Sequence, residues 1–262
     1  MILDFFERVG DKTFSLFISI YEVLYFGSQC FVSMFIPRSY NAAMRSVLVR
    51  QIYFTTIQIL PMFTVMGLVF GTAIIGSLFS LALEYSLQEH IGSILVGFVM
   101  NEFAPFFTVL LISLRSGAAI ATEIAVMKVN KELNTLESFN ISLINYLFLP
   151  RIISGMLSLL SLSALLTLLM FSSGFGFSYF FLHMNLDSYL STLVHAITVS
   201  DIIYMSLKSL AFGFVIMVIP IYSGLRTMDS FSAIPISVLQ GMVRLFIAIF
   251  IIEVLSLILK QL

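Results

Sequence analysis

Charge is scarce in this chain: Lys, Arg, Asp and Glu make up 10% of its 262 residues, where an ordinary soluble domain carries about a quarter. Hydrophobic residues make up 60%, and mean hydropathy is +1.07. A soluble fold of this size could not cover so much apolar surface, so the composition points to a membrane protein. The net charge of −1 gives no basic field for nucleic acid. The single cysteine, Cys30, excludes an intrachain disulfide and a cysteine metal site; it reads as a small apolar filler. No HExxH or CxxC spacing occurs, so no metal site is expected. No GxxxxGK[ST] occurs either, which excludes a P-loop for ATP in this chain. A nucleophilic triad signature, tandem repeats, low-complexity tracts and soluble linkers are all missing. The opening "MILDFFERVGDK" has no basic stretch before an apolar core, so no cleaved signal peptide is expected.

What the chain has is long apolar runs. Inside lipid only a helix satisfies its own backbone, so each run reads as a spanning helix. Five are expected: about 54–82, with a kink at Pro61; from Ile91 past Leu114; 150–181; 202–224; and 236–259. Residues 14–36 are long enough to span and carry one charge, Glu22, but they could equally lie flat in the interface.

Basic residues set the orientation. Arg38, Arg45 and Arg50 precede the first span. Arg115, Lys128, Lys131 and Arg151 surround the middle segment, and Arg226 and Arg244 flank the loop before the fifth span. The other side receives Lys208 and Lys260, with Glu84, Glu89, Asp187, Asp201 and the histidines His90, His183 and His195. The basic side is therefore cytoplasmic. A flat helix at 14–36 keeps Arg8 and Lys12 inside, which favours the flat arrangement.

Two stretches of the second span carry chemistry. In "NEFAPFF", Glu102 lies eleven residues past Ile91, roughly 16 Å at helical rise, hence near the bilayer centre. A charged carboxyl facing lipid there costs about 2.5 kcal/mol or more, so it should meet a cavity or a partner, or be protonated. Pro105 has no N–H for the carbonyl of Asn101, so a kink is expected there. The bland alternative is a structural hydrogen bond to a neighbouring helix. In "RSGAAIATEI", Ser113, Gly117 and Ala121 form a small-residue stripe, as Gly67 and Gly71 do on the first span. Such stripes signal close helix packing. Arg115, about 20 Å beyond Glu102 along the helix, can snorkel or hold a phosphate or carboxylate.

The stretch "MKVNKELNTLESF", 127–139, looks like a soluble helix in a greasy chain. Val129, Leu133 and Leu136 recur on one face, and Phe139 extends it. Asn134 and Glu137 have capping-box spacing, so a helix restart at Asn134 is expected. The face is too narrow to span, and fits a groove on this protein or on a partner.

The region from Asn101 to Gly155 resembles the MlaE family of ABC-transporter permeases. That family reads approximately ELGP, an Arg with a Gly-Ala-Ala run, TAE(I/L), a basic Met-Lys/Arg segment with Glu-Gln and Leu/Met-Glu, then PR at the next span. Glu102 and Pro105 match the first element. Arg115, Gly117, Ala118, Ala121 and Glu123 match the second. Met127, Glu132, Leu136 and Glu137 match the charged helix, and Pro150 and Arg151 the restart. Arg50, Gln51 and Gly67 match the family's first span. The likeness covers most of 48–262. Departures are Phe103 for Leu, Ala104 for Gly, and Asn101 where some members carry a basic residue.

The resemblance implies an all-α membrane protein. It would have an N-terminal interfacial (elbow) helix within 1–47 and a permease domain over 48–262, with about five transmembrane helices and a cytoplasmic coupling helix. It implies an inner-membrane homodimer with a cytoplasmic ABC ATPase, which binds the ATP, and a periplasmic MCE-domain protein. Such complexes move phospholipid between inner and outer membranes and support outer-membrane lipid asymmetry. The permease is no enzyme and holds no cofactor of its own. Candidates for ATPase coupling are Met127, Lys131, Glu132, Leu133, Leu136 and Glu137. Candidates for a lipid cavity are Phe70, Ile74, Leu78, Glu102, Phe103 and Phe106. Two alternatives stand beside this: a self-contained secondary transporter or channel using Glu102, and a membrane scaffold. Secondary transporters commonly show discontinuous helices in both halves, whereas only the Pro105 region has that character here.

Overall fold

The computed structural model describes residues 21–36 and 42–261, and among these the secondary structure is helical, with no strand. The helices are α1 (21–34), α2 (Ala42–Thr55), α3 (Leu60–Glu84), α4 (Ile91–Val129), α5 (Glu132–Ser138), α6 (Leu149–Leu182), α7 (Leu186–Ala196), α8 (Val199–Leu225) and α9 (Ile234–Gln261). Five stretches are long and apolar enough to cross a membrane: Met44–Glu84, Ile91–Val129, Ile144–Phe181, Val199–Leu225 and Phe231–Lys260. The chain is thus an all-α, multi-pass membrane protein. The break expected at Pro61 is present. A 3-10 turn, Ile57–Ile59, interrupts the first span, and Pro61 stands in the first turn of α3, where its missing N–H costs nothing.

Helices α6 and α8 form the centre. The α6 helix packs on α2, α3, α4 and α8, while α8 packs on α4, α6 and α9. Glycine lets these backbones meet. At Gly71 an added Cβ would lie 2.6 Å from the Met170 Cα, and at Gly213 it would lie 2.5 Å from the Met156 Cα. The 67/71 stripe therefore faces α6. The Ser113/Gly117/Ala121 stripe faces α8 and α9, with Leu245 near Gly117 and the Ala121 carbonyl near Gly224. Leu159, Leu166, Phe212 and Ile216 fill the shared core with no exposure.

The segment 182–201 between the third and fourth spans is not a plain loop. It holds α7, whose buried Tyr189 donates to the Phe171 carbonyl at 2.9 Å. The first turn of α4 stacks on α7, with Gly92 against the Thr192 carbonyl. At the other end, α1 runs along α8: Phe26 meets Tyr222 and Phe148, and Phe31 meets Phe214. Residues 1–20 and 37–41 lie outside the described residues, so the placement of 14–36 concerns 21–36 only. The 21–34 helix is not among the five candidate spans.

Candidate functional site

Glu102 sits in a π-helical stretch of α4, Val96–Phe103, immediately before the α-helical turn that contains Pro105. The expected irregularity at Pro105 is therefore a change of helix type. Such π segments are rare and frequent at functional sites. Pro105 offers no N–H to the Asn101 carbonyl in an α pattern, and the Lys208 Nζ lies 3.3 Å from that oxygen. The same ammonium pairs with Glu102 and lies 3.0 Å from the Glu253 Oε2. The ammonium thus donates to the Asn101 carbonyl and to Glu102, and Glu253 adds a second opposing charge beside it. Lys208 is 1% exposed at the side chain, so without these partners its charge would be prohibitive.

Around this ion pair the cluster widens. Lys260 from the end of α9 lies 3.5 Å from the Glu102 Oε1 and 3.4 Å from the Gly97 carbonyl. The Tyr204 hydroxyl donates toward Glu102 at 3.4 Å, and both lysines face the Tyr204 ring. Asn101, fully buried, donates to the Asp201 Oδ1 at 2.6 Å. The other oxygen of Asp201 closes a capping box with Thr198 at the start of α8, where the helix dipole also favours a carboxylate. Two carboxylates thus meet two ammonium groups, and Asp201 joins through Asn101, the residues coming from α4, α8 and α9.

Within the bundle Glu102 is placed by its partners. Asp201, in the first turn of α8, and Lys260, next to the end of α9, reach the cluster from the helix ends, while Lys208 and Glu253 stand about two turns further in. The site lies in the half of the bundle toward α7, onto which the first turns of α4 project. The charge count groups Lys208 with Lys260 at one end of the spans, and both are found in this cluster, Lys208 as a buried partner of Glu102.

The lipid-cavity candidates divide. Phe70 and Phe103 join Phe107 in one aromatic cluster, with ring centroids 4.8–6.0 Å apart. Ile74 and Leu78 pack half-buried against the core. Phe106 meets Phe250 of α9 at 5.7 Å, and Glu102 belongs to the ionic cluster. Sequence reading missed Asn101, Asp201, Tyr204, Glu253 and Lys260 as members of that cluster. The available signal was one carboxylate in each of α4, α8 and α9 near the same end, with Glu253 interrupting the fifth span.

At the opposite end, α4 continues without a loop to Val129. Asn130 and a left-handed Lys131 (φ 61°) turn the chain, and α5 begins at Glu132. The restart expected at Asn134 is therefore two residues late; that residue lies inside the helix, because the turn at Lys131 already ends α4. Leu133 is 4% exposed and anchors α5 on this protein. Met127 and Leu136 are half-buried, while Lys131, Glu132, Glu137 and Phe139 face outward. Lys128 donates to the Leu225 carbonyl, which ties this end to the C-terminus of α8. Arg115 donates to the Gln58 Oε1 at 3.0 Å, and the buried Arg151 pairs with Glu123 at 2.6 Å. Among the described residues no group of His, Cys, Asp and Glu is disposed to hold a metal ion.

A multi-pass helical bundle with a buried ionic cluster at one end and a short exposed helix at the other has the architecture of a transporter membrane subunit. The chain belongs to the Permease MlaE family, which matches residues 48–259. Relatives agree in kind. A "Probable ABC transporter permease protein" of Rickettsia felis is 26% identical over 86% of this chain and 85% of its own length. "Intermembrane phospholipid transport system permease protein MlaE" of Haemophilus influenzae is 24% identical over 63% of this chain and 57% of its own length. "Protein TRIGALACTOSYLDIACYLGLYCEROL 1, chloroplastic" of Arabidopsis thaliana is 28% identical over 63% of this chain and 47% of its own length.

Proposed function

We propose that this permease is the membrane subunit of an ABC transporter that moves phospholipid between the inner and outer membranes, and so supports outer-membrane lipid asymmetry. It works as an inner-membrane homodimer with a cytoplasmic ATPase, which binds the ATP, and a periplasmic MCE-domain protein. The observation that carries this reading is the continuity of α4, one helix from the ionic cluster to the turn that holds α5. The name of the Haemophilus relative, a permease of an intermembrane phospholipid transport system, supports phospholipid as the cargo.

In this mechanism the outward side chains Lys131, Glu132 and Glu137 dock on the ATPase, and Leu133 and Leu136 hold α5 to the permease. Closure of the ATPase moves α5 and therefore α4. The two π segments of α4, Val96–Phe103 and Ser113–Gly117, are where its register can change. A shift there loosens Glu102 from Lys208 and Lys260 and exposes charge to a lipid headgroup, while the Phe70–Phe103–Phe107 cluster offers an apolar wall to its chains. Replacing Glu132 by Lys tests the docking. Loss of the ATPase from the purified complex, with permease thermal stability unchanged, is expected. Full copurification and wild-type transport would sink the assignment of α5 as the coupling helix.

A further inference from the structure

Between α1, α8 and α9 lies a groove of about 640 Å³, with Arg244 at the end nearer α5 and Ile252 at the other, within the usual size of small-ligand sites. Leu24 and Phe31 of α1, Phe214 and Val218 of α8, and Ile251 of α9 form its walls, and its lone charged lining residue is Arg244. Gly27 keeps the floor open, for an added Cβ there would already touch Phe214 and Val218 at 3.5 Å. Nearby, Glu22 is taken by Arg226 and by the Tyr222 hydroxyl. The Glu22 charge also acts on Arg244 from a distance, but among the described residues no hydrogen bond or close ion pair holds the Arg244 guanidinium.

Length and charge together name an occupant. Arg244 lies about two turns from the end of α8 that carries Arg226, as the approach of Gly241 to Ser223 shows. From Arg244 to Ile252, the groove runs eight residues along α9, about 12 Å at helical rise. One leaflet's share of the hydrocarbon core is about 15 Å. A guanidinium at one end of an apolar slot one leaflet deep matches a phosphate followed by an acyl chain. A second copy of the chain packed by the same face would bring mainly Ile236, Leu239, Val243 and Ile247, all exposed, and a Glu22 already shared by its own Arg226 and Tyr222. Burying that charge unpaired would be costly. We propose that the groove binds a phospholipid from the leaflet on the α5 side, with one acyl chain between α1 and α9 and its phosphate on Arg244. This site is separate from the ionic cluster and does not depend on lipid being the transported cargo.

The test uses the full chain in phosphatidylglycerol nanodiscs, with a photoreactive benzoylphenylalanine at Ile251. Crosslinking to phosphatidylglycerol is expected. Arg244→Gln should weaken it about tenfold, as for loss of one charge-assisted hydrogen bond, and Arg244→Lys should largely retain it. Ala248→Trp should abolish it by filling the slot, with thermal stability monitored to confirm folding. Diacylglycerol, which lacks the phosphate, should crosslink no better to wild type than to Arg244→Gln. Crosslinks from Ile251 to a second copy or to the N-terminal segment of the same chain would overturn the proposal. So would equal lipid capture by wild type, Arg244→Gln and Ala248→Trp.

Discussion

Lys208 concentrates the chemistry of this permease. It neutralises two carboxylates and satisfies a backbone carbonyl left without its α-helical donor by Pro105. Lys208→Met should therefore cost about 3–5 kcal/mol, as for removal of one partner from a buried ion pair. A fall in the thermal midpoint in detergent would measure it. Neutralising Glu102 and Glu253 as Gln in the same chain should restore most of that loss. No recovery would mean that the cluster's charges are not coupled. Cys30 offers a second probe. It is 0% exposed on α1, so maleimide should label it slowly in the folded protein and rapidly after denaturation in detergent. Glu22 holds the same helix. The Tyr222 hydroxyl and the Arg226 charge keep its carboxyl below the usual range. Its stabilising contribution is present above the ordinary carboxylate pKa and disappears as pH falls through the lowered value. Amide exchange of residues 21–34 should accordingly stay slow until the pH drops below that ordinary range, and early release on acidification would contradict the pairing.

Helix α4 carries the long-range coupling, and glycine contacts set the frame it moves in. Gly71→Leu would drive a side chain into the Met170 backbone, with an expected destabilisation of about 1–3 kcal/mol from overpacking. Thermal unfolding in detergent checks it. The turn at Lys131 is a sharper case, since its positive φ suits glycine best. Lys131→Gly should leave thermal stability intact or slightly raised, while Lys131→Val, β-branched and unsuited to that backbone, should lower it. If the two variants behave alike, the turn's geometry does not position α5. These elements were partly legible. Small-residue stripes announced close packing, and the alternation of Val129, Leu133 and Leu136 announced a short amphipathic helix. The partner of each stripe was not legible, because a stripe names no neighbour. Nor was the restart at Glu132, because a left-handed Lys gives no sequence signal as Gly would.

In the whole molecule, two charged ends are joined by apolar helices. The ionic cluster, toward α7, draws on α4, α8 and α9, and α5 projects at the opposite end beside the Lys128–Leu225 tie. Disturbing one end should be felt at the other if α4 is the link. Glu102→Ala is expected to reduce lipid photocrosslinking near the cluster in the assembled transporter while the ATPase still copurifies. Wild-type crosslinking would instead assign Glu102 a structural role. A secondary transporter driven by a free Glu102 carboxyl fits this arrangement poorly, since the carboxyl is already shared between Lys208 and Lys260.

Composition and hydropathy alone determined that this chain crosses a membrane several times as helices, because an unpaired backbone is too costly in lipid for any other open arrangement. Local motifs determined the family resemblance, the breaks near Pro61 and Pro105, and the amphipathic stretch after α4. Tertiary structure alone decided that Lys208, counted only toward the charge of one side, closes on Glu102, and that Glu253 and Lys260, about a hundred and fifty residues later, complete the cluster. Charge pairing inside a bundle depends on which helix faces meet and at what height. Those heights are set by the stacking of α4 on α7 and by its π turns, neither of which is written in hydropathy.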